Sequence, residues 1–418
     1  MDEVVITGLG VVSPIGVGAD AVWRSIEDRR SGIRSIPEFV DAGWIAPFGG
    51  EVVDFDAKEF VTPRKSLKVM AREIQFAFAA AEMAWQQAGL TPETIDPERF
   101  GAVCGAGLIF GELFEMAPAF RASIGDGELQ MDKWGTAGMR ELFPLWMLKY
   151  LPNMPACHIG IRQDARGATN TIAQGDVSSL VALGEAADVI RRGAADVMIT
   201  GGASSRLNLG DMLWRGGARL SRRADDPAAA SRPFDAQRDG MIYGEGSANF
   251  ILESRGHAER RGAKILGRVD SVISRYEPST KSRLITGKAI AAAIDAALEA
   301  AKIEAKDLAY VNAHGISTTE DDPAEARVIR EVIDDVPVTA PKSFFGNLGP
   351  GGGAVEMAVS VLAMQRRVIP PTLNYEQSDP ACPVEVITEM VPTFKRSVLL
   401  LNHNSTGQAT AAVISMAD

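Results

Sequence analysis

Residues 169–190, TNTIAQGDVSSLVALGEAADVI, decide how this chain is built. Thr169 to Ala173 are small or β-branched and suit an extended strand. Gln174-Gly175 breaks that run. From Val177 on, Leu180, Val181, Leu183, Ala187 and Ile190 recur at helical spacing. A strand, a tight glycine turn and a helix succeed one another, which is the repeating unit of an α/β fold. Asp176 falls at the helix start, where an aspartate accepts free backbone N–H groups as a cap. The same kind of elbow is where several enzyme classes hold a nucleophile, because a helix N-terminus stabilises an anion. Residue type favours the cap.

The whole chain has 418 residues, 46% hydrophobic and 23% charged, an ordinary globular composition with room for two domains or two fused halves. Charges interrupt every apolar run before it reaches the length of a membrane span. The opening MDEVVITGLGVVSPIG starts acidic and continues as a buried strand, unlike a signal or transit peptide, so a cytoplasmic location is expected. Cys104, Cys157 and Cys382 stand at unrelated spacings and give neither a disulfide framework nor a metal site. A net charge of −11 argues against nucleic acid as the main partner.

Elsewhere in the chain, glycines sit at strand ends (ITGLG, VCGAG, MITGGAS, NAHG), and apolar strands alternate with Ala-rich helices. A faint repeat is present. Residues 79–107 read as an Ala-rich helix, an acidic link and a strand ending in glycine, and residues 291–315 repeat that order. So long a period points to duplicated halves. The junction is placed near ESRGHAERRGAK, residues 253–264, giving halves of 1–255 and 256–418. Residues 107–150 stand apart, rich in Phe and Met and holding two of the six Trp. They fit a lid, a dimer arm or an apolar substrate wall, against the plainer alternative of core packing.

Three further stretches carry polar residues at turns. VNAHGISTTEDDPAEARVI (311–329) delivers His314 to the end of a strand, where ligands bind in open α/β sheets. A lone histidine is more often structural, and its neighbours are poorly spaced for a metal. TAPKSFFGNLGPGGGAVEMAVSVLAM (339–364) places Lys342 and Asn347 before a glycine-rich turn and an apolar helix. It lacks G-K-[ST] and G-x-G-x-x-G, so a nucleotide is not expected and close packing explains the glycines. SVLLLNHNSTGQATAAVISM (397–416) reads as two strands around a polar tip, Asn402 to Gln408, with His403 as a candidate. No cofactor and no metal are expected.

Together these stretches resemble the β-ketoacyl-ACP synthase II family of condensing enzymes. VVITGLGVVSPIG is similar to its first strand. LSRRADDPAAASRPFDAQRDGMIYGEGSANFILE matches its R-P-F-D…R-D-G-x-x-x-G-E-G block. NAHGISTTEDDPAEA and PPTLNYEQSDPACP match two more of its motifs, including Asp322 and Glu325. The resemblance runs nearly end to end. It implies the thiolase fold, two duplicated halves in a five-layer αβαβα sandwich.

The resemblance also implies a site. The family uses a Cys nucleophile, two His that hold a malonyl thioester, a Lys beside the second His, and an oxyanion hole completed by a Phe in a C-terminal loop. Counted without a gap, the Cys position is Asp176 here. The first His is His314, the Lys is Lys342, the second His is Asn347, and the gating Phe is Thr406, in a loop that also holds His403 and Asn404. An ionised carboxylate is a weak nucleophile towards a thioester, and its charge opposes a developing oxyanion. Asn347 can still donate to a thioester carbonyl. The expectation is a chain-length-factor-like partner of an active ketosynthase. The alternative is altered chemistry, namely decarboxylation, hydrolysis or cyclisation, with Asp176 as base to His314. The implied partners are an acyl carrier protein bearing an acyl or malonyl thioester, and a second chain in a homodimer or a heterodimer with a paralogue. Arg64, Lys65, Lys68 and Arg72 are the expected docking patch for the acidic carrier, with Arg215, Arg219, Arg222 and Arg223 as a second basic run.

Overall fold

The computed structural model describes residues 2–278 and 286–417. Ten strands carry the architecture. Five come from the N-terminal half: β1 (Val4–Ser13), β2 (Phe100–Gly105), β3 (Thr169–Ile172), β4 (Val197–Ser205) and β5 (Glu245–Ser254). Five come from the C-terminal half: β6 (Gly267–Tyr276), β7 (Leu308–Asn312), β8 (Val338–Thr339), β9 (Ser397–His403) and β10 (Gln408–Ser415). In the first half β1, β5 and β4 pair antiparallel, and β4, β2 and β3 pair parallel. In the second half β6, β10 and β9 pair antiparallel, and β9, β7 and β8 pair parallel. The two halves thus share one strand order and one pattern of directions, the signature of a duplication. A short pairing of β1 with β6, Val5 opposite Arg268 and Ile6 opposite Gly267, joins them into one sheet.

Seven helices make the layers. α1 (Arg72–Ala88) and α2 (Met154–Gln163) cover the outer face of the first half. α3 (Ser178–Arg191) comes after β3, and α4 (Leu209–Arg215) after β4. α5 (Lys288–Ala301) and α6 (Asp321–Ile333) cover the outside of the second half. α7 (Gly352–Arg366) lies with α3 between the halves, touching strands of both. This is the αβαβα thiolase arrangement. The reason lies in the sequence: α7 reads GGAVEMAVSVLAMQR, small or apolar all round apart from Glu356 until its last two residues, as suits a helix buried on all sides. Its glycine start allows close approach to the strand ends, since a side chain at Gly349 (φ +59°) would meet Arg206 Nε at 2.6 Å.

Residues 107–150 differ from this frame. They form short helices, among them one over Leu113–Ser123, and they expose Leu108, Phe114, Met131 and Met139. Core packing does not describe these four side chains. A groove lined by Phe114, Phe143, Trp146 and Leu67 runs along the segment.

Candidate active site

The ends of β4, β7 and β9 and the turns after β3 and β8 converge on one cavity of about 580 Å³. Asp176, His314, Asn347, His403, Asn404 and Thr406 all line it, and Lys342 lies directly behind His314. Residues far apart in the chain are brought together because both halves turn their strand ends to the same place.

Asp176 is not a helix cap. The turn Gly175–Val177 is tied instead by Ser178, whose Oγ accepts from Gln174 N at 2.8 Å and donates to the Gly175 carbonyl at 2.6 Å. With Ser178 holding the turn, the Asp176 carboxylate is free to project into the cavity. There it pairs with Arg206, accepts from Asn347 Nδ2 at 3.2 Å, and lies 3.7 Å from His314 Nε2. Burial alone would raise its pKa. Arg206 first, then the Asn347 hydrogen bond, Lys342 and Arg215, outweigh burial and hold it below the usual aspartate value. The carboxylate is ionised and acceptor-only at neutral pH.

His314 is 1% exposed and lies just past β7. α6 fastens its loop from below. Glu325 accepts from His314 N at 2.6 Å and Gly315 N at 2.9 Å, and Asp322 accepts from Ile316 N, Ser317 N and Thr318 N at 3.1–3.2 Å. His314 Nδ1 faces two donors, Lys342 Nζ at 3.2 Å and Asn402 Nδ2 at 3.3 Å. The Asn402 amide is fixed in that sense by its bonds to Glu356 Oε2 at 2.7 Å and the Leu401 carbonyl at 2.8 Å. Nδ1 therefore accepts, and Nε2 carries the proton that points at Asp176. Burial, then Lys342, His403 and Arg206, push the imidazole pKa well below its ordinary value, so the ring is neutral. Lys342 is itself paired with the buried Glu356.

His403 is the last residue of β9, 3% exposed, with its ring 4.4 Å from that of His314. It belongs to the strand and not to a solvent-facing tip. Burial lowers its pKa, but Glu325, 3.6 Å from Nε2, more than offsets this and raises it. The turn from Asn404 to Gly407 forms the cavity mouth. Thr406 N, expected to donate to an oxyanion, is directed at Asn404 Oδ1 at 3.1 Å. Asn404 in turn ties this loop to the Asp176 elbow through the Gln174 carbonyl at 3.1 Å.

The basic runs divide. Arg64, Lys65 and Lys68 are exposed on the turn Arg64–Val69. Arg72, expected beside them, is half-exposed and already engaged: it forms a bidentate pair with Glu245 and donates to the Val52 carbonyl at 2.7 Å, at the point where α1 begins and packs on β5. Arg215 and Arg219 line the cavity, while Arg222 and Arg223 lie along Asp239 and neighbouring carbonyls. The structure adds two residues that the motifs do not mark. Arg206 stands directly after the small-residue strand end GGASS, and Glu356 is the only charge in the apolar run of α7 before its final arginine. A charge in such a setting needs a partner, and that is the signal by which both can be found. No cysteine lines the cavity; Cys104 and Cys382 are buried elsewhere and Cys157 lies on α2.

Comparison with known proteins agrees with this architecture. The beta-ketoacyl synthase N-terminal domain matches residues 1–258 and the C-terminal domain residues 271–376. The tetracenomycin polyketide synthase ketoacyl synthase alpha subunit of Streptomyces glaucescens is 33% identical over 423 residues, covering 99% of this chain and 97% of that protein. Among the solved structures that cover 100% of both chains are the following two. One is the ishigamide ketosynthase/chain length factor, with a TM-score of 0.86 and 26% identity. The other, a type II PKS acyl-carrier protein in complex with its ketosynthase bound to the hexaketide, gives 0.81 and 28%. With both domains matched across most of its length, this chain belongs to the beta-ketoacyl synthase family.

Proposed function

We propose that this chain serves fatty-acid or polyketide synthesis as a chain-length-factor-like partner. It would pair with an active ketosynthase, bind acyl or malonyl carrier protein, and shape a shared cavity without condensing. The observation that carries this reading is the capture of Asp176 by Arg206 and Asn347, beside His314. Asp176 occupies the position that the family resemblance gives to the nucleophile. Its carboxylate faces the two groups, the Asn347 amide and the His314 Nε2–H, that would otherwise hold a thioester carbonyl. An ionised, hydrogen-bonded carboxylate is a poor nucleophile, and any anhydride it formed would hydrolyse. Neighbours of known assembly support the pairing, one solved as a ketosynthase/chain length factor and one in complex with a carrier protein. Arg64, Lys65 and Lys68 are the proposed contact for the acidic carrier.

The 3.7 Å approach of His314 to Asp176 favours a second reading, an enzyme in which the pair handles a proton. The protonation states weigh against it. Asp176 is held too acidic to be a strong base, and His314 Nε2 already carries its proton.

Intact-mass measurement of carrier protein tests the choice. Malonyl carrier protein, with and without acyl carrier protein, is expected to return unchanged, and the chain is expected to co-purify with a ketosynthase. Acetyl, ketoacyl or hydrolysed carrier protein that disappears with Asp176→Ala or His314→Ala would establish the enzyme instead.

A further inference from the structure

A separate cavity of about 520 Å³ is lined by the turn Pro14–Val17 and by Arg30, Ser31 and Arg34, and it shares no lining residue with the cavity at the strand ends. Its two arginines have no carboxylate partner. Arg34 sits on the short strand Ile33–Ser35, opposite Gly49. Its Nε is buried without an acceptor, and among the described residues its side chain forms no hydrogen bond and no ion pair. Glu51, which feels its charge, lines a different cavity. Arg30 is oriented by Ser25: Nη2 donates to Ser25 Oγ at 2.7 Å, and that buried hydroxyl donates in turn to the Ile15 carbonyl at 2.6 Å. The backbone between the two arginines is fixed. Gly32 N donates to the Phe344 carbonyl at 2.7 Å, and a side chain at Gly32 would meet the Pro14 carbonyl oxygen at 2.6 Å. Ser31 Oγ accepts from Ile33 N at 3.2 Å, which leaves its own proton to donate. Asp54 also lines the cavity; it is exposed and pairs with neither arginine.

A buried guanidinium nitrogen without an acceptor is costly, and an anion seated beside it removes that cost. We infer that this cavity binds a phosphate monoester, with its phosphate between Arg30 and Arg34 and its apolar body against Pro14, Val17 and Val53. Donor number selects phosphate over carboxylate. A guanidinium has five N–H groups in a rigid fork, so Arg34 offers all of its own and Arg30 those beyond its bond to Ser25. A carboxylate has two oxygens to receive them, whereas a phosphate monoester has three terminal oxygens and about two charges. Volume selects the ester over the free ion, since the cavity falls in the range of small-molecule sites, roughly 300–1,000 Å³. Two arginines against Asp54 leave a net positive charge on the wall, and loss of either arginine leaves none.

Calorimetric titration of the full chain in a phosphate-free buffer tests this with three probes: phenyl phosphate, inorganic phosphate and benzoate. Phenyl phosphate is expected to bind at least about tenfold more tightly than either of the others, since one lacks the apolar body and the other the phosphate. Arg34→Gln should weaken its binding at least about tenfold, the size of one charge-assisted hydrogen bond. That variant should melt no lower than wild type, because the Arg34 side chain holds no protein partner among the described residues. Arg30→Gln should weaken binding to a similar degree, and Arg34→Lys, which keeps the charge without the fork, should recover part of the loss. Binding that survives both glutamine variants would lie elsewhere on the chain and overturn the inference. Benzoate or inorganic phosphate binding as tightly as phenyl phosphate, or no binding of any probe, would overturn it as well. Carrier-protein mass and co-purification with a ketosynthase are read independently, so the outcome here leaves the partner reading untouched.

Discussion

The strands β2 and β7 occupy equivalent places in the two halves, each between two parallel neighbours, yet the chain leaves them in unlike ways. After β7 it runs through a short loop that presents His314 and is pinned by Asp322 and Glu325 of α6. After β2 it enters the segment 107–150, with large apolar side chains in solvent. The loop after β7 carries a site residue and is held by buried carboxylates, and the loop after β2 exposes apolar surface. Duplication supplied the same scaffold twice, and the strand ends diverged. A strand order is therefore a poor guide to what its loops do.

The sharpest break of this contrast is at Lys342. Lys342→Met leaves Glu356 buried without its cation, and loss of one partner from a buried pair costs about 3–5 kcal/mol. Urea denaturation should show that loss, and the double variant Lys342→Met/Glu356→Leu should recover most of it. Arg206→Met should cost less, about 1.5–3 kcal/mol for a lost charged hydrogen bond, since the Asp176 side chain is 12% exposed and can gain water from the cavity. Asp176→Asn on that background should restore part of the loss. A loss above that of Lys342→Met would mean that the N-terminal half, too, depends on its site for stability.

Much of the molecule is legible in its sequence. The strand, turn and helix at 169–190, the Ala-rich repeat and the resemblance motifs lead to the fold, because periodicity and glycine placement are local properties. His314, Lys342 and Asn347 stand out through their motifs. Arg206 and Glu356 do not, since each is defined by a partner distant in sequence: Asp176 for one, Lys342 for the other. Asp176 reads as a cap, wrongly, because sequence position cannot tell which of two polar residues, Asp176 or Ser178, turns back onto the backbone. Arg72 reads as a free surface charge, but though its side chain stays 41% exposed it is held by Glu245, a partner distant in sequence.

The first half holds its own buried carboxylate, and pH offers a gentler probe of it. Glu73 on α1 is buried, chiefly for that reason has its pKa pushed up to about 8, and lines a second cavity of about 410 Å³ with Glu51, Glu112 and Glu245. A carboxyl whose folded pKa is raised stabilises the fold while protonated. Its contribution is fully present below the ordinary value of 4.5 and is lost as pH rises towards about 8. Wild-type stability should therefore decline across that window by this group. Glu73→Gln should flatten the decline, matching wild type near pH 5 and exceeding it near pH 8 in parallel melting curves.

The smallest effect is expected where the apolar surface is greatest. Phe114 is 73% exposed and Met131 68%, so a serine at either position removes little buried area. Substitutions of that kind change stability by less than about 0.5 kcal/mol. Phe344, fully buried after β8, provides the control: truncation to alanine there should cost about 3–5 kcal/mol. If Phe114→Ser and Met131→Ser melt like wild type while Phe344→Ala does not, the apolar side chains of 107–150 do not hold this chain together, and burying them would require a partner. If instead they cost as much as the core control, the segment contributes to the fold itself, and the contrast between the two halves would lie in the polar site alone.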